Sequence, residues 1–143
     1  MKQYNKNPIS LREGKVYIDG VEVMDSVKCE IKFKPDVWQG KQLGERSDSR
    51  RWLGFDITGV ITRRRSNNFI KNVIKKYKTS GATPQFTIQG VMNDRGSDYY
   101  AKYGSDIVTV VGCVLTGEMP LTMLDSAGDV LDDVIRFGAK DIV

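Results

Sequence analysis

The 143-residue sequence contains no histidine and only two cysteines. Without histidine the chain lacks the usual general base near neutral pH, the serine–histidine and cysteine–histidine nucleophile pairs, and the commonest zinc ligand. Cys29 and Cys113 are far apart and form no Cys-x-x-Cys pair, so we expect buried free thiols rather than a disulfide. These absences exclude most hydrolases and predict that the protein is not an enzyme.

Two other sequence features resemble parts of known functional sites but lack what those sites require. Gly40-Lys41-Gln42 lacks the earlier glycine and the Ser or Thr after lysine that a phosphate-binding loop requires. Asp132 and Asp133 are adjacent, and adjacent side chains of a strand point to opposite faces, so the two cannot share a proton or a metal ion. We therefore expect no catalytic residue, no cofactor site and no metal site.

Long apolar runs are also missing. No segment approaches the roughly 20 apolar residues of a membrane-spanning helix. No apolar signal-peptide core is formed by the N-terminal residues Lys2, Gln3, Asn5, Lys6 and Asn7. We expect a protein without a membrane anchor that folds in the cytoplasm, as one domain over residues 1–143 with its own core.

The charges are distributed unevenly along the chain. The net charge is +4, with basic residues concentrated between Lys28 and Lys78 and acidic residues between Asp125 and Asp141. Such polarity suits the packing of identical subunits, although solvated faces would give the same pattern. The run Arg63-Arg64-Arg65 is expected to be solvated or paired with a neighbouring subunit's carboxylates. These basic residues also leave open a nucleic-acid-binding module.

Turn residues and alternation predict a β-rich first half. An Asp19-Gly20 turn joins the strand-forming runs 15–18 and 21–24 in a hairpin. Residues 26–34 then alternate with period two, which predicts a strand with one wet and one buried face. The side chains predicted on the buried face are Val27, Cys29, Ile31 and Phe33.

A second, larger hairpin is predicted around a long connection. Pro35 is expected to end the strand of residues 26–34. Residues 36–51 are polar and without periodicity, which indicates an extended loop that makes contacts. Residues 52–62 resume strand character and would pair with the first strand.

The second half is predicted to hold the helix and the remaining strands. A helix from about Ser66 to Lys78 has a capping serine, one apolar face and Gly81 as its stop. Strands are predicted at 84–92, 107–116 and 121–124, with a tyrosine-containing loop before the second. Residues 130–137 fit a strand or a helix, and their β-branched residues favour a strand. The fold class is α+β, mainly antiparallel β with one amphipathic helix.

Several short strings occur in a characteristic order around that helix. They are Ile9-Ser10 before Glu13-Gly14-Lys15-Val16-Tyr17-Ile18-Asp19-Gly20, then Leu43-Gly44-Glu45-Arg46, and then Gly81 and Pro84 before Phe86-Thr87-Ile88-Gln89-Gly90-Val91. Over nearly its full length the chain resembles the tail tube proteins of contractile phage tails. The resemblance is to the subfamily of defective prophages and phage-tail-like bacteriocins of Gram-positive bacteria.

The resemblance implies a two-sheet β-sandwich or barrel whose long hairpins join a β-barrel between subunits. Six copies would form a ring, and stacked rings would form the inner tube of a contractile tail around a channel inside a sheath. The implied partners are further copies of the chain, the contractile sheath protein, the baseplate and the tail terminator, with DNA in transit if the particle carries a genome. Assembly would take place in the bacterial host cytoplasm, before release in a virion or tail-like particle. The tube of a type VI-like injection system is the alternative.

The resemblance also suggests which residues meet neighbours. The hairpin that would line the channel carries Lys28, Glu30, Lys32 and Lys34. The long loop would contact a neighbouring subunit or ring through Trp38, Leu43, Glu45, Arg46, Arg50, Arg51 and Trp52. The helix would face the sheath with Lys71, Lys75 and Lys76. Because channels that conduct DNA are usually lined with acidic side chains, the lysines imply either a particle without a genome or a face turned away from the channel.

Overall fold

The chain forms eight strands and two helices within the residues 6–143 that the computed structural model describes. The strands are β1 (Gly14–Ile18), β2 (Val21–Glu22), β3 (Ser26–Gly40), β4 (Ser49–Arg64), β5 (Phe86–Met92), β6 (Asp106–Leu115), β7 (Asp132–Ala139) and β8 (Asp141–Ile142). The helices are α1 (Phe69–Ser80) and α2 (Asp98–Tyr103). The N-terminal polar residues 2–5, predicted to form no signal peptide, lie outside the described residues.

The strands form one sheet in the order β2-β1-β5-β6-β7-β4-β3, with β8 added to β6. Each pair in this order is antiparallel. Strand β6 belongs to both halves of the sheet, because it pairs with β5 along most of its length and with β7 at Val114 and Leu115. The predicted mainly antiparallel fold is confirmed, with the two expected sheets joined through β6.

The two halves of the sheet fold over a common core. Val16, Ile88 and Val110 come from one half, and they share a buried cluster with residues of β4 and β7 and with Ile70 of α1. The members from β4 and β7 are Ile57, Ile61, Ile135 and Phe137. The core therefore forms between the halves of one curled sheet, and α1 covers part of it.

The two cysteines are free thiols, as predicted. Cys113 is fully buried in the core, whereas Cys29 is half-buried on β3. Burial raises the pKa of the Cys29 thiol to about 11, so this thiol is protonated and unreactive near neutral pH.

The first hairpin is formed as predicted. Asp19 and Gly20 have φ values of 51° and 81°, the two positive angles of the tight turn that Asp-Gly favours. The Asp19 N–H donates to the Thr87 carbonyl, and its carboxylate accepts from the Thr87 N–H, both at 2.8 Å. The turn between β1 and β2 is thus tied to the start of β5.

The predicted end of the next strand at Pro35 is wrong. β3 continues through Pro35, which is paired with Phe55, as far as Gly40, and β4 begins already at Ser49. Proline is tolerated there because β3 is an edge strand, in which an N–H can point away from the partner strand. The expected long loop is therefore mostly strand, with a turn of residues 41–48.

The predicted helix is present but begins three residues later than Ser66, at Phe69. Asn67 rather than Ser66 provides the side-chain acceptor at the start of the helix, since its Oδ1 accepts a 3.1 Å hydrogen bond from the Phe69 N–H. Gly81 ends the helix as predicted, in the left-handed region at φ 72° and with its N–H donating to the Tyr77 carbonyl.

A second helix was missed where the sequence indicated a loop. The Ser97 Oγ caps α2 by accepting a 3.1 Å hydrogen bond from the Tyr100 N–H, and Asp98 lies in the first turn. The predicted strand at 121–124 is irregular instead, and it belongs to a long connection between β6 and β7. The strand favoured over residues 130–137 is confirmed as β7.

We expect the Gly59→Ala variant to lose about 1–3 kcal/mol of unfolding free energy, the usual effect of overpacking. A Cβ at this position of β4 would overlap the Phe137 ring and lie 2.8 Å from the backbone carbonyl oxygen of Glu30. Gly54→Ala is the matched control on the same strand, because a Cβ there meets no atom within 4 Å. Urea unfolding should separate the two variants, and equal stability would contradict the packing of Phe137 on Gly59.

Candidate assembly surfaces

The four residues predicted for a channel lining share one face of β3. Glu30 bridges two of the lysines, with its carboxylate oxygens 2.7 Å from the Lys32 Nζ and 3.7 Å from the Lys28 Nζ. The hydrogen bond and charge of Lys32 lower the pKa of Glu30. Lys34 lies opposite Asp56 of β4 in the strand register. With Asp36 on the same side of β3, this charged face holds three lysines and three carboxylates.

The opposite face of the same hairpin carries an aromatic strip of Phe33, Trp52 and Phe55. The Phe33 ring centroid lies 5.2 Å from that of Phe55 and 5.8 Å from that of Trp52. These side chains are 44–63% exposed. The prediction that Phe33 and Val27 are buried is wrong, because the β3 side chains that pack against the core are Cys29 and Ile31. The strip continues the core-facing side of the hairpin into solvent.

The far end of the hairpin, residues 37–54, is its tip. Within the tip, the Asp48 carboxylate accepts a hydrogen bond from the Gln39 side chain and lies 3.7 Å from the Lys41 Nζ. Glu45 accepts hydrogen bonds from the Gln42 N–H and the Ser49 hydroxyl, both at 3.3 Å. These contacts across the turn give the tip a defined conformation.

All seven residues predicted to contact neighbours lie at this tip, although not all in a loop. Leu43, Glu45 and Arg46 belong to the turn. The other four, predicted as loop residues, lie on β3 or β4, and they are Trp38, Arg50, Arg51 and Trp52. Each of the seven is exposed. Their role in assembly stays a prediction.

The arginine run is only partly a surface feature. Arg63 and Asp133 are paired across β4 and β7, with the Arg63 Nη2 3.3 Å from the Asp133 Oδ2 and both residues buried. Arg65 donates to the same carboxylate at 2.8 Å, whereas Arg64 is exposed. The expectation that the run is solvated or paired with another subunit is wrong for Arg63 and Arg65.

The strand alternation contains the signal for this buried cluster. Arg63 shares its side of β4 with Ile57 and Ile61, and Asp133 shares its side of β7 with Ile135 and Phe137. Arg63 and Asp133 therefore extend the core-facing sides of β4 and β7 at the end of the sheet nearest α1. Because Arg63 was interpreted together with Arg64 and Arg65 as a basic run, its position on the core-facing side of β4 was not recognised.

The helix α1 separates its apolar and basic sides. Ile70 and Val73 are buried against the sheet, while the three lysines predicted to face a sheath are exposed. These lysines are Lys71, Lys75 and Lys76. The structure brings them together on one solvent-facing side, and their partner stays a prediction.

Within residues 6–143, no group of three or more His, Cys, Asp or Glu side chains is placed to hold a metal ion. No helix in the same residues has the length and apolar character to cross a membrane. Edge strands, exposed aromatic rings and separated charges are instead the features of a protein that packs against other chains.

The sequence matches a family model described as "Phage tail tube protein" over residues 2–142. The chain belongs to the phage tail tube family. It is a non-enzymatic structural subunit, as the missing histidine had suggested, and the resemblance to tail tube proteins is confirmed.

Two curated relatives of this tail tube protein come from Bacillus subtilis (strain 168). One is the phage-like element PBSX protein XkdM, and the other is the uncharacterized protein YqbM. Each is 24% identical to the chain over 136 residues, which cover 95% of this chain and 89% of the relative. The similarity therefore extends over nearly the whole of both proteins.

Two solved structures share the tail tube fold at low sequence identity. One belongs to an extracellular contractile injection system, the PVC sheath–tube complex in its extended state. It matches with a TM-score of 0.69 and 9% sequence identity, and the match covers 95% of this chain and 90% of that chain. A chain of the anti-feeding prophage (AFP) baseplate, 6-fold symmetrised, matches with a TM-score of 0.62, 10% identity and coverage of 100% and 95%. These matches establish the fold.

Proposed function

We propose that six copies of this one-domain subunit close into a ring, and that stacked rings form the inner tube of a contractile tail around a central channel inside a sheath. Membership of the tail tube family supports the tube. The similar chains occur in assemblies described as a sheath–tube complex and a 6-fold symmetrised baseplate, which supports sixfold rings and a sheath.

The position of β3 at the edge of the sheet carries this proposal. β3 has 15 residues and is the last strand in the order, with β4 as its neighbour on the inner side. A long exposed edge invites pairing with another chain, and closure of a sheet across subunits satisfies it. Cyclic symmetry then gives every copy the same pair of neighbours.

The two faces of the β3–β4 hairpin suit different surroundings in such a ring. The aromatic strip continues from the core and would pack against the neighbouring subunit, where burial of its rings stabilises the contact. The charged face would line the channel with Lys28, Glu30, Lys32 and Lys34. Its balance of three lysines and three carboxylates gives a hydrophilic wall of low net charge, so we propose that DNA in transit would meet little attraction or repulsion there.

The remaining surfaces fit the other components of a contractile tail. The exposed lysines of α1 would meet an acidic surface of the sheath protein. The first and last rings would contact the baseplate and the tail terminator. Assembly would take place in the bacterial host cytoplasm, and the tube would leave in a virion or a tail-like particle. The similarity to a protein of a Bacillus subtilis phage-like element favours a particle of the defective-prophage or bacteriocin type.

Closed sixfold rings and hollow tubes of uniform width are the expected result when the concentrated protein is viewed by negative-stain electron microscopy and weighed by native mass spectrometry. Strictly monomeric protein that binds DNA in a steeply salt-dependent way would contradict the tube and favour a nucleic-acid-binding module. Engagement of Arg63 and Arg65 with Asp133 already reduces the basic surface on which that alternative depends.

The variant Phe33→Ser/Trp52→Ser tests the aromatic strip as the contact between neighbours. Because both rings are partly exposed in the subunit, its stability should change little, whereas loss of interface anchors typically weakens association by about 2 kcal/mol, or roughly thirtyfold. Tyr103→Ser on α2 is the control, since Tyr103 is 64% exposed outside the strip. Sedimentation velocity measures the ring fraction, and equal ring formation by both variants would contradict this contact.

A further inference from the structure

The hairpin tip and the β6–β7 loop, residues 116–131, lie at opposite ends of the same strand. β4 has 16 residues, begins at the tip with Ser49 and ends at Arg64. The next residue, Arg65, donates from its guanidinium to the carbonyl oxygens of Pro120 and Leu121 in the loop. A strand of that length spans about 50 Å. The two surfaces are therefore too far apart to meet within one subunit.

Arg65 holds the loop at two places, near its middle and at its C-terminal end. Its backbone N–H donates to the Leu131 carbonyl at 2.9 Å, while its Nη1 donates to the Leu121 carbonyl at 2.8 Å. The guanidinium is itself oriented by Asp133. The loop is thus held against the end of the sheet even though it contains no helix or strand. Arg65 is a positioning residue for whatever surface the loop presents.

The surface of the loop is apolar and acidic. Leu121, Met123 and Leu124 are 64%, 66% and 94% exposed. The loop carries three carboxylates and no basic residue. These carboxylates are Glu118, Asp125 and Asp129, each of them exposed.

The hairpin tip has the complementary character. Four basic residues against two acidic ones give it a net charge of +2, from Lys41, Arg46, Arg50 and Arg51 set against Glu45 and Asp48. Trp38, Leu43 and Leu53 add large apolar side chains that are 48%, 105% and 61% exposed. An apolar surface with basic neighbours at one end of the subunit thus matches an apolar surface with acidic neighbours at the other.

We propose that the hairpin tip of one copy docks on the β6–β7 loop of a second copy, and that this contact joins successive rings. Arg50 and Arg51, which lie on opposite faces of β4, approach the loop carboxylates Asp125 and Asp129 from the two sides of the tip, and the apolar side chains of tip and loop pack between them. The contact joins two different surfaces at opposite ends of the molecule, so it propagates instead of closing on itself, as the stacking of rings requires. It rests on the proposed tube and names the surfaces that stack it.

Charge reversal at either end tests this contact. In Arg50→Glu/Arg51→Glu both tip and loop are acidic, and in Asp125→Lys/Asp129→Lys both are basic. Because like charges across an interface are strongly unfavourable, each variant alone should need about a hundredfold higher concentration to form tubes. Rings of the two variants, prepared separately and then mixed in equal amounts, should form tubes again, since each tip then meets a loop of opposite charge. Tubes are measured by pelleting and by electron microscopy.

Lys71→Glu/Lys75→Glu provides the control, because it reverses two charges on the exposed side of α1 and should leave tube formation unchanged. Tubes from either reversed variant alone at the wild-type concentration would overturn the contact, and so would a mixture that fails to restore them. Open end-to-end chains without closed rings would contradict the sixfold ring, and the same charge reversals would still report on the contact. Wild-type protein that stays monomeric at every concentration would overturn both proposals.

Discussion

Replacing Asp133 with alanine is expected to lower the free energy of unfolding by about 3–5 kcal/mol, the range found when one partner of a buried ion pair is removed. Asp133 is fully buried and is paired with both Arg63 and Arg65. Its removal leaves the Arg63 guanidinium, also buried, without a counter-charge and frees the Arg65 side chain that holds the β6–β7 loop. Urea unfolding followed by circular dichroism measures the loss.

The neighbouring carboxylate provides the control for this variant. Asp132 is exposed and points to the other side of β7, so Asp132→Ala should change stability by less than about 0.5 kcal/mol. The two variants remove the same charge from the same strand, and they differ in burial. A similar effect of both would show that the Asp133 carboxylate is not the centre of a buried cluster.

Ile70→Asp is expected to destabilise the fold by several kcal/mol at neutral pH, since it removes an apolar side chain from the core and places an unpaired carboxyl there. Ile70 is 3% exposed and belongs to the same cluster as Ile61, Ile88 and Phe137. Lys71→Asp is the matched control on the adjacent, exposed position of α1. Thermal and urea unfolding should show a large loss for the first variant and a small one for the second.

The effect of Ile70→Asp should also depend on pH. Burial raises the folded-state pKa of the introduced carboxyl above its unfolded value of about 4. The unfolded state then releases its proton first as the pH rises, so the variant loses stability above about pH 4 until the folded-state pKa is reached. Measurements at pH 4 and pH 7, each relative to the wild type, should give the smaller loss at pH 4. A loss independent of pH would mean that the carboxyl reaches solvent and that α1 does not seal this part of the core.

The sequence was most informative where one local rule acts alone. Asp19-Gly20 specified its hairpin because both residues adopt positive φ, and Gly81 specified the end of α1 for the same reason. The β-branched residues Val130, Val134 and Ile135 likewise favoured a strand over a helix, and this strand is β7. In each of these places the neighbours in sequence are also the neighbours that determine the conformation.

Prediction failed where tertiary context outweighed the local rule. Pro35 normally ends a strand, but β3 lies at the edge of the sheet and tolerates it. Arg63 reads as a surface residue, but Asp133, 70 positions away, holds it in the interior. Phe33 reads as a core residue, but the hairpin extends beyond the cover of the core. The candidate assembly residues lie at one hairpin tip because they are near in sequence. The loop proposed to receive the tip was not identified from the sequence, because the Arg65 contacts that position it join residues 55 or more positions apart.

Pro35 also affects how readily unassembled subunits aggregate through their sheet edges. Because Pro35 has no N–H and the pairing of β3 with β4 shifts between Asp36 and Val37, the outer edge of β3 cannot offer an uninterrupted ladder along its whole length. Long flat edges are what cross-β fibrils grow on. The stretch from Lys28 to Lys34 lies between Pro35 and a second shift in the pairing, at Val27, so in the proposed ring we expect a neighbouring strand to pair there in one register. We therefore expect the edge to pair with a neighbouring subunit in the proposed tube and to support cross-β fibril growth poorly in subunits that have not yet assembled.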